Sequence, residues 1–513
     1  MTDLSIEKRA IARNTVYSAG AKILQLASSF VFMPWLLRRF GLANYGIFLL
    51  AGSVSVYLGL LDFGVGSAVT KFVAEHRVRG ENEELGRVVS NVTAYYSAIG
   101  VLAFLLLVAF AQFGVGLFHL SGADLGLARS LFMASAVIAL LAWPLSIGYS
   151  VLAGIQRYDL SARIGVAVML GNLIVTAGVL ILRLGPLSLL ASMGVVSVLG
   201  GLASVAAAWR QLGAAVPRSI HLVDRATLTR VFSFSWSVFV IQLTALVTDV
   251  QTDRLVLAAF VGPAAIGLYE AAAKLHGLIA QLAPLPTSAL VPAASHLNAH
   301  ERPEALRALF LRGTKYTVGF VVPIAVTLMI LARPLLTHWL GSDFASMAPA
   351  AQAFLSMWVF FPNLTVAFSI LIGTGNMRFL VRLNIVQAVL NLALSLILVQ
   401  RFGVLGVIIG TVATDLALYP IALRYILGTL HVSWAEYVHA VVARTYPLLV
   451  APVVVSWAAI ALGLTGTLLG VAVTGMASAA AYWVALYLLG LADDERADVR
   501  ALLASVTRRS AAG

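Results

Sequence analysis

LAGIQRYDLSARIGV (Leu152–Val166) and LIGTGNMRFLVRLNI (Leu371–Ile385) are two versions of one passage, 219 residues apart. The register superposes Gly154 on Gly373 and Arg163 on Arg382. Nine residues on, Asn172 meets Asn391, each followed by leucine. With a one-residue gap, LRLGPL from Leu182 then meets QRFGVL from Gln400. Upstream, Pro144 and Pro362 precede the shared glycine at similar distances, and GLANYGIF from Gly41 pairs with GPAAIGLY from Gly262. The chain is an internal duplication, and the nature of the duplicated unit decides the fold.

That unit is apolar. Of 513 residues, 60% are hydrophobic and 11% charged, with a mean hydropathy of +0.94. A soluble domain carries roughly 25% charged residues. Apolar runs of about 18 residues or more recur from end to end, the pattern of membrane-crossing helices. An outer-membrane barrel would need short alternating strands, and these are absent. The expected architecture is all-α and polytopic. About fourteen transmembrane helices are expected near 14–37, 43–69, 88–118, 128–154, 160–182, 186–209, 231–260, 264–293, 314–340, 349–373, 379–400, 404–427, 445–463 and 465–490. Each copy of the duplication takes six of them, giving an N-lobe over 14–210 and a C-lobe over 231–427 with a linker at 211–230. Two extra C-terminal helices occupy 428–490. Six is even, so both copies keep one orientation, and the lobes are related by a pseudo-two-fold along the membrane normal. A transporter with its site between the lobes is the expected use of such a duplication, and a scaffold without transport is the alternative.

The formal charge is +12. In a membrane protein this needs no nucleic acid, because basic residues collect in cytoplasmic loops. With the N-terminal segment 1–13 inside, about 25 of the 34 Lys and Arg fall on the cytoplasmic side, among them Lys8, Arg9, Lys71, Arg77, Arg79, Arg225 and Arg230. Both termini are then cytoplasmic, and the first span reads as an uncleaved helix. Residues 491–513 place Val499, Leu502, Leu503 and Val506 on one helical face, an amphipathic tail for the inner surface. The chain has no cysteine, which excludes disulfides and thiolate metal sites. There is no phosphate-binding G-x-x-x-x-G-K-[ST] loop, so ATP hydrolysis is not expected. His296, His300 and His338 lack metal-ligand spacing, and no cofactor or metal is expected. No loop carries the paired carboxylates of glycosyl transfer, so the chain is not read as an enzyme.

The loop KFVAEHRVRGENEELGR (Lys71–Arg87) lacks the G-x-x-x-D-R-x-G-R-R mark of the major-facilitator fold. The opening segment instead resembles the polysaccharide-repeat-unit flippases (O-antigen and exopolysaccharide, Wzx-like) of the multidrug/oligosaccharidyl-lipid/polysaccharide exporter (MOP) superfamily. The likeness rests on N-T-x-x-S from Asn14, R-R-F-G-L-A-N-Y-G from Arg38, L-L-D-F-G-V-G-S-A-V from Leu60 and R-V-F-S-F-S-W from Arg230. The resemblance implies two lobes moving by alternating access in the bacterial inner membrane. It implies as cargo an undecaprenyl-diphosphate-linked oligosaccharide for surface polysaccharide or lipopolysaccharide, flipped to the periplasmic leaflet. It places spans one, two, seven and eight around the central cavity. Glycosyltransferases and a polysaccharide polymerase are the partner enzymes of such a pathway. A drug or cation antiporter, or a peptidoglycan-precursor flippase of the same superfamily, is the alternative; a membrane enzyme of the pathway is a weaker one.

A diphosphate head crossing hydrocarbon about 30 Å thick requires a wet cavity with cations. The spans supply Lys22 on span one, Arg254 on span seven and Lys274 on span eight. Acids accompany them: Asp62 on span two, Asp249 and Asp253 on span seven, and Glu270 on span eight. Glu270 and Lys274 are four apart and pair on one helix face. Lys22 lies about 12 Å and Asp62 about 13 Å from the inner surface at the helical rise, so a Lys22–Asp62 ion pair is expected. For Asp62 a purely structural role has equal weight. Asp415, midway in span twelve, is the candidate site for a coupling H+ or Na+; the competing reading is a hydrogen-bonded acid packed on Gln387 or Asn391. Asn172 and Asn391 read as interhelical hydrogen bonds.

Overall fold

A computed structural model describes residues 2–118, 120, 122–213, 216, 223–233, 235, 239, 250–287, 290–497 and 499–500, with side chains from Ser28 onward. Every regular element among them is helical. Two compact units are present: residues 1–267 with 399–404, and residues 268–398 with 405–513.

In the first unit α1 (Thr2–Leu58) would be about 85 Å long as one rod, far beyond a bilayer core of about 30 Å. Gly41, at φ 79° and ψ 164°, breaks it into two segments. After Leu58 the chain makes a 3₁₀ turn over Gly59–Asp62 and passes through left-handed Phe63 and Gly64. It resumes as α2 (Val65–Arg79). Then come α3 (Asn82–Ala109), α4 (Gly122–Leu145), α5 (Ile147–Gly154), α6 (Tyr158–Ile181), α7 (Pro186–Leu212) and α8 (Val250–Phe260). Helix α4 packs between α3 and α7, and α5 packs between α2 and α7. The GLANYGIF motif and its copy cross each other here. A Cβ on Gly46 would stand 1.9 Å from the Pro263 carbonyl oxygen, and one on Gly267 would stand 3.0 Å from that of Leu42. Leu42 and Pro263 are themselves equivalent positions of the motif, so the contact is reciprocal, and only glycine permits it.

The second unit holds most of α9 (Pro263–Leu282), then α10 (Leu290–Ala299), α11 (Pro303–Leu340), α12 (Ala348–Phe360) and α13 (Pro362–Gly373). It continues with α14 (Met377–Thr429), which Gly403 breaks at φ 55° and ψ −128°, and ends with α15 (Val450–Ala461) and α16 (Leu468–Ala485). Phe310, Ile370, Leu371, Leu423, Ile426 and Tyr437 are buried in its core. The segment after Gly490 folds onto α11: Arg312 donates to Asp494 at 2.8 Å, and Lys315 pairs with Glu495. Burial alone would raise the Glu495 carboxyl. Hydrogen bonds from Lys315, the Ala492 amide and Tyr316 outweigh it and hold the group below the ordinary carboxylate range.

The duplicated passage has one geometry in both copies. After α5, Gln156 is left-handed at φ 58°, and the Arg157 amide donates to the Leu152 carbonyl at 2.8 Å. After α13, the equivalent Gly375 is left-handed at φ 76°, and the Asn376 amide donates to the Leu371 carbonyl at 2.9 Å. The aligned glycines serve the same contact. A Cβ on Gly154 would lie 2.9 Å from the Thr70 carbonyl oxygen of α2, and one on Gly373 would lie 2.6 Å from that of Val291 in α10.

Among the described residues ten helices are long and apolar enough to cross a membrane, or eleven with the bent pair Ser342–Phe360 and Pro362–Gly373. This is below the expected fourteen for an identifiable reason. Ser28–Asp62 and Met377–Thr429 are each broken at a glycine and count once, and residues 234, 236–238 and 240–249 of the expected span seven lie outside the described residues. The chain is a multi-pass membrane protein.

Candidate functional site

Asp62 sits where its helix is broken. Its Oδ1 accepts a hydrogen bond from the Tyr96 hydroxyl of α3 at 2.6 Å and a longer one from the Gly66 amide at 3.2 Å. The carboxylate thus satisfies an orphan donor at the start of α2, which is the work of a cap. Next to it, the Tyr95 hydroxyl donates to the Leu61 carbonyl at 2.5 Å, closing another group freed by the break. The side chain of Lys22 lies outside the described residues, and so does the expected Lys22–Asp62 pair. Asp249 lies outside them as well.

Helix α8 presents its polar groups to the second segment of α1. Ser53 donates to Gln251 Oε1 at 2.8 Å, Arg254 donates to the same oxygen at 3.0 Å, and Tyr57 bonds Thr252. Asp253 is buried. Arg254 therefore belongs to a side-chain network shared by two helices of one unit. On α9, Glu270 is buried and pairs with Lys274 at 3.3 Å, four residues on, as the spacing requires. Two residues beyond Lys274, His276 stacks on Phe354 at 4.0 Å and accepts a hydrogen bond from the Trp358 indole at 3.1 Å.

Asp415 accepts a hydrogen bond from Gln387 at 2.5 Å, across the two halves of α14. The pair borders a cavity of about 30 Å³ lined by Phe360, Phe361, Phe368 and Tyr419. That volume admits a water-sized guest. Asn391 bonds Thr411 at 2.9 Å, so it is an interhelical tie. Its counterpart Asn172, expected to make the same kind of tie, has a buried Oδ1 without a hydrogen-bond partner among the described residues. Among the described residues no three His, Cys, Asp or Glu side chains converge as metal ligands.

The sequence profile of the family described as polysaccharide biosynthesis protein matches residues 11–298. The chain belongs to this family. The match takes in the broken segment at Asp62 and both α8 and α9. No curated protein matches the chain by sequence. Among solved structures, the lipid II flippase MurJ in an inward closed conformation is similar. It has 15% identity and a TM-score of 0.70, with 92% of this chain and 97% of that chain covered. Multidrug-resistance MATE transporters of the MOP superfamily are similar too. The inward-facing one has 15% identity and a TM-score of 0.65, with 79% of this chain and 94% of that chain covered. The outward-facing one has 16% identity and a TM-score of 0.54, with 82% and 94% covered. At these identities the likeness establishes the fold, which this polysaccharide biosynthesis protein shares with the MOP transporters.

Several polar groups of this family member escaped sequence reading. Ser53, Tyr57, Gln251 and Thr252 are ordinary residues singly and matter only because two helices bring them together. Tyr95 and Tyr96 carried no signal beyond being adjacent tyrosines. Tyr96 gives Asp62 a hydroxyl donor from the neighbouring helix.

Proposed function

We propose that the chain flips an undecaprenyl-diphosphate-linked oligosaccharide between leaflets of the bacterial inner membrane by alternating access. The observation that carries this reading is membership of the polysaccharide biosynthesis family over 11–298, on a chain whose fold is that of the MOP transporters. Surface polysaccharide made on the cytoplasmic face has to cross hydrocarbon, and the costly part is the diphosphate. Lys22, Arg254 and Lys274 supply the cations for it. Glu270 pairs with Lys274 at 3.3 Å, a contact for which an anion competes. Asp249 and Asp253 tune the charge around Arg254. Asp415, with a hydrogen-bond partner and a small cavity beside it, is the candidate for a coupling H+ or Na+. Glycosyltransferases act before the step and a polysaccharide polymerase after it.

The test is a leaflet-resolved assay in proteoliposomes containing the purified chain and a fluorescent lipid-linked oligosaccharide. Flipping above protein-free vesicles is expected, with Lys22→Ala and Lys274→Ala each abolishing it. Movement of lipid II or of a cationic dye, with none of the oligosaccharide lipid, would replace the proposal by a peptidoglycan-precursor flippase or a drug antiporter.

A further inference from the structure

The two copies of the duplicated turn share their hydrogen bonds but not their charge. In the first copy Arg157 donates to Asp159 at 2.9 and 3.1 Å and to Gln211 at 2.6 Å, so its charge is consumed within the protein. In the second copy Asn376 stands in place of Arg157, and Arg378 stands in place of Asp159. Arg382 follows one helical turn later. Asn376 bonds the Tyr425 hydroxyl at 3.2 Å, and Phe379 stacks on the Tyr425 ring at 3.6 Å. These contacts join the two termini of α14, so Arg424, beside Tyr425, stands at the same end of its hairpin as Arg378 and Arg382.

All three arginines are exposed, and none has an ion pair or hydrogen bond among the described residues. The acids that pair elsewhere in this unit are engaged by other cations: Glu436 by Arg307, Asp494 by Arg312, and Glu495 by Lys315. Directly along the helix from Arg382 lie exposed Ile385, Val386 and Val389, and one turn before Arg424 lies exposed Ile421. Cations at the end of an exposed apolar strip stand at the level where headgroups meet acyl chains. A guanidinium forks onto phosphate oxygens with two parallel hydrogen bonds.

We propose that Arg378, Arg382 and Arg424 form a docking site for the phosphorylated headgroup of an anionic membrane lipid, whose chains lie along the Ile385–Val389 strip. The site requires only a membrane and does not depend on the transport reading. A soluble phosphate compound would have no use for the strip, and arginines serving topology alone would bind no lipid selectively.

Native mass spectrometry of the purified full-length chain in detergent tests this, with dioleoyl phosphatidylglycerol as the probe and dioleoyl phosphatidylcholine as its neutral counterpart. Phosphatidylglycerol binds in preference. Each Arg→Gln change weakens it about fivefold, and R378Q/R382Q/R424Q weakens it roughly a hundredfold, with phosphatidylcholine unchanged. The triple lysine variant keeps part of the affinity. Arg163→Gln, at the first-copy position of Arg382, leaves binding as it was. Equal binding of the two lipids by the wild-type chain would overturn the proposal. So would unchanged phosphatidylglycerol binding in the triple glutamine variant, or displacement of the lipid by inorganic pyrophosphate at equal concentration. Should the triple variant fail to fold, the single changes and the wild-type lipid preference decide.

Discussion

Replacing Asp62 by alanine removes two hydrogen bonds at one break in the chain. The Tyr96 hydroxyl, donor at 2.6 Å on a residue only 2% exposed, loses its acceptor. An orphaned buried donor costs about 1–3 kcal/mol. The Gly66 amide loses a cap, worth about 1 kcal/mol, and less at the 3.2 Å seen here. The expected loss for Asp62→Ala is therefore about 2–4 kcal/mol. Asp62→Asn keeps an acceptor and costs less. Tyr96→Phe in the alanine background removes the orphaned hydroxyl, so the double variant should be less destabilised than the two single losses sum to. A coupling of about 1–2 kcal/mol is expected between the positions. Equilibrium unfolding in detergent micelles for the four proteins of the cycle measures it. Additivity within about 0.5 kcal/mol would show that the carboxylate and the tyrosine do not act together, and the capping argument would fail.

Three further outcomes are expected. Gly373→Ala pushes a methyl to 2.6 Å from the Val291 carbonyl oxygen and should cost about 1–3 kcal/mol; Gly165→Ala, with nothing within 4 Å, should gain up to about 1 kcal/mol in the same unfolding assay. The depressed Glu495 carboxyl should make docking of the tail on α11 pH-dependent. A lowered folded pKa contributes stability that is complete above the unfolded value of about 4.3 and is lost as pH falls through the folded one, so spin labels on α11 and the tail should separate only in that acid range. Separation that sets in near neutrality would assign the clamp to another group. Asp415→Asn should remove the pH or sodium dependence of flipping, and a variant as ion-sensitive as the wild type would take Asp415 out of coupling.

The helices and the duplication could be read along one dimension. Apolar run length and a 219-residue register are properties of the string, and the matched turns after Gly154 and Gly373 follow from them. Glu270–Lys274 was equally legible, because a spacing of four fixes proximity on any helix. Gln387 was one of two named partners for Asp415, and it is the one used; the two lie sixteen residues before and twelve after the Gly403 break, at comparable depth in a hairpin. Equal depth for Asp62 and Lys22 requires an unbroken helix up to Lys71. The 3₁₀ turn and the left-handed pair Phe63–Gly64 interrupt that helix, and α3 supplies a hydroxyl to the carboxylate.

What local spacing cannot contain is which helix faces which. Ser53 finds Gln251 across 198 residues, and Lys315 finds Glu495 across 180. In a chain that is apolar almost everywhere, hydropathy marks every face of a helix alike. The choice of neighbour falls to small-residue crossings such as Gly46 on Pro263 and to sparse polar ties, and these acquire meaning only when the whole bundle is packed.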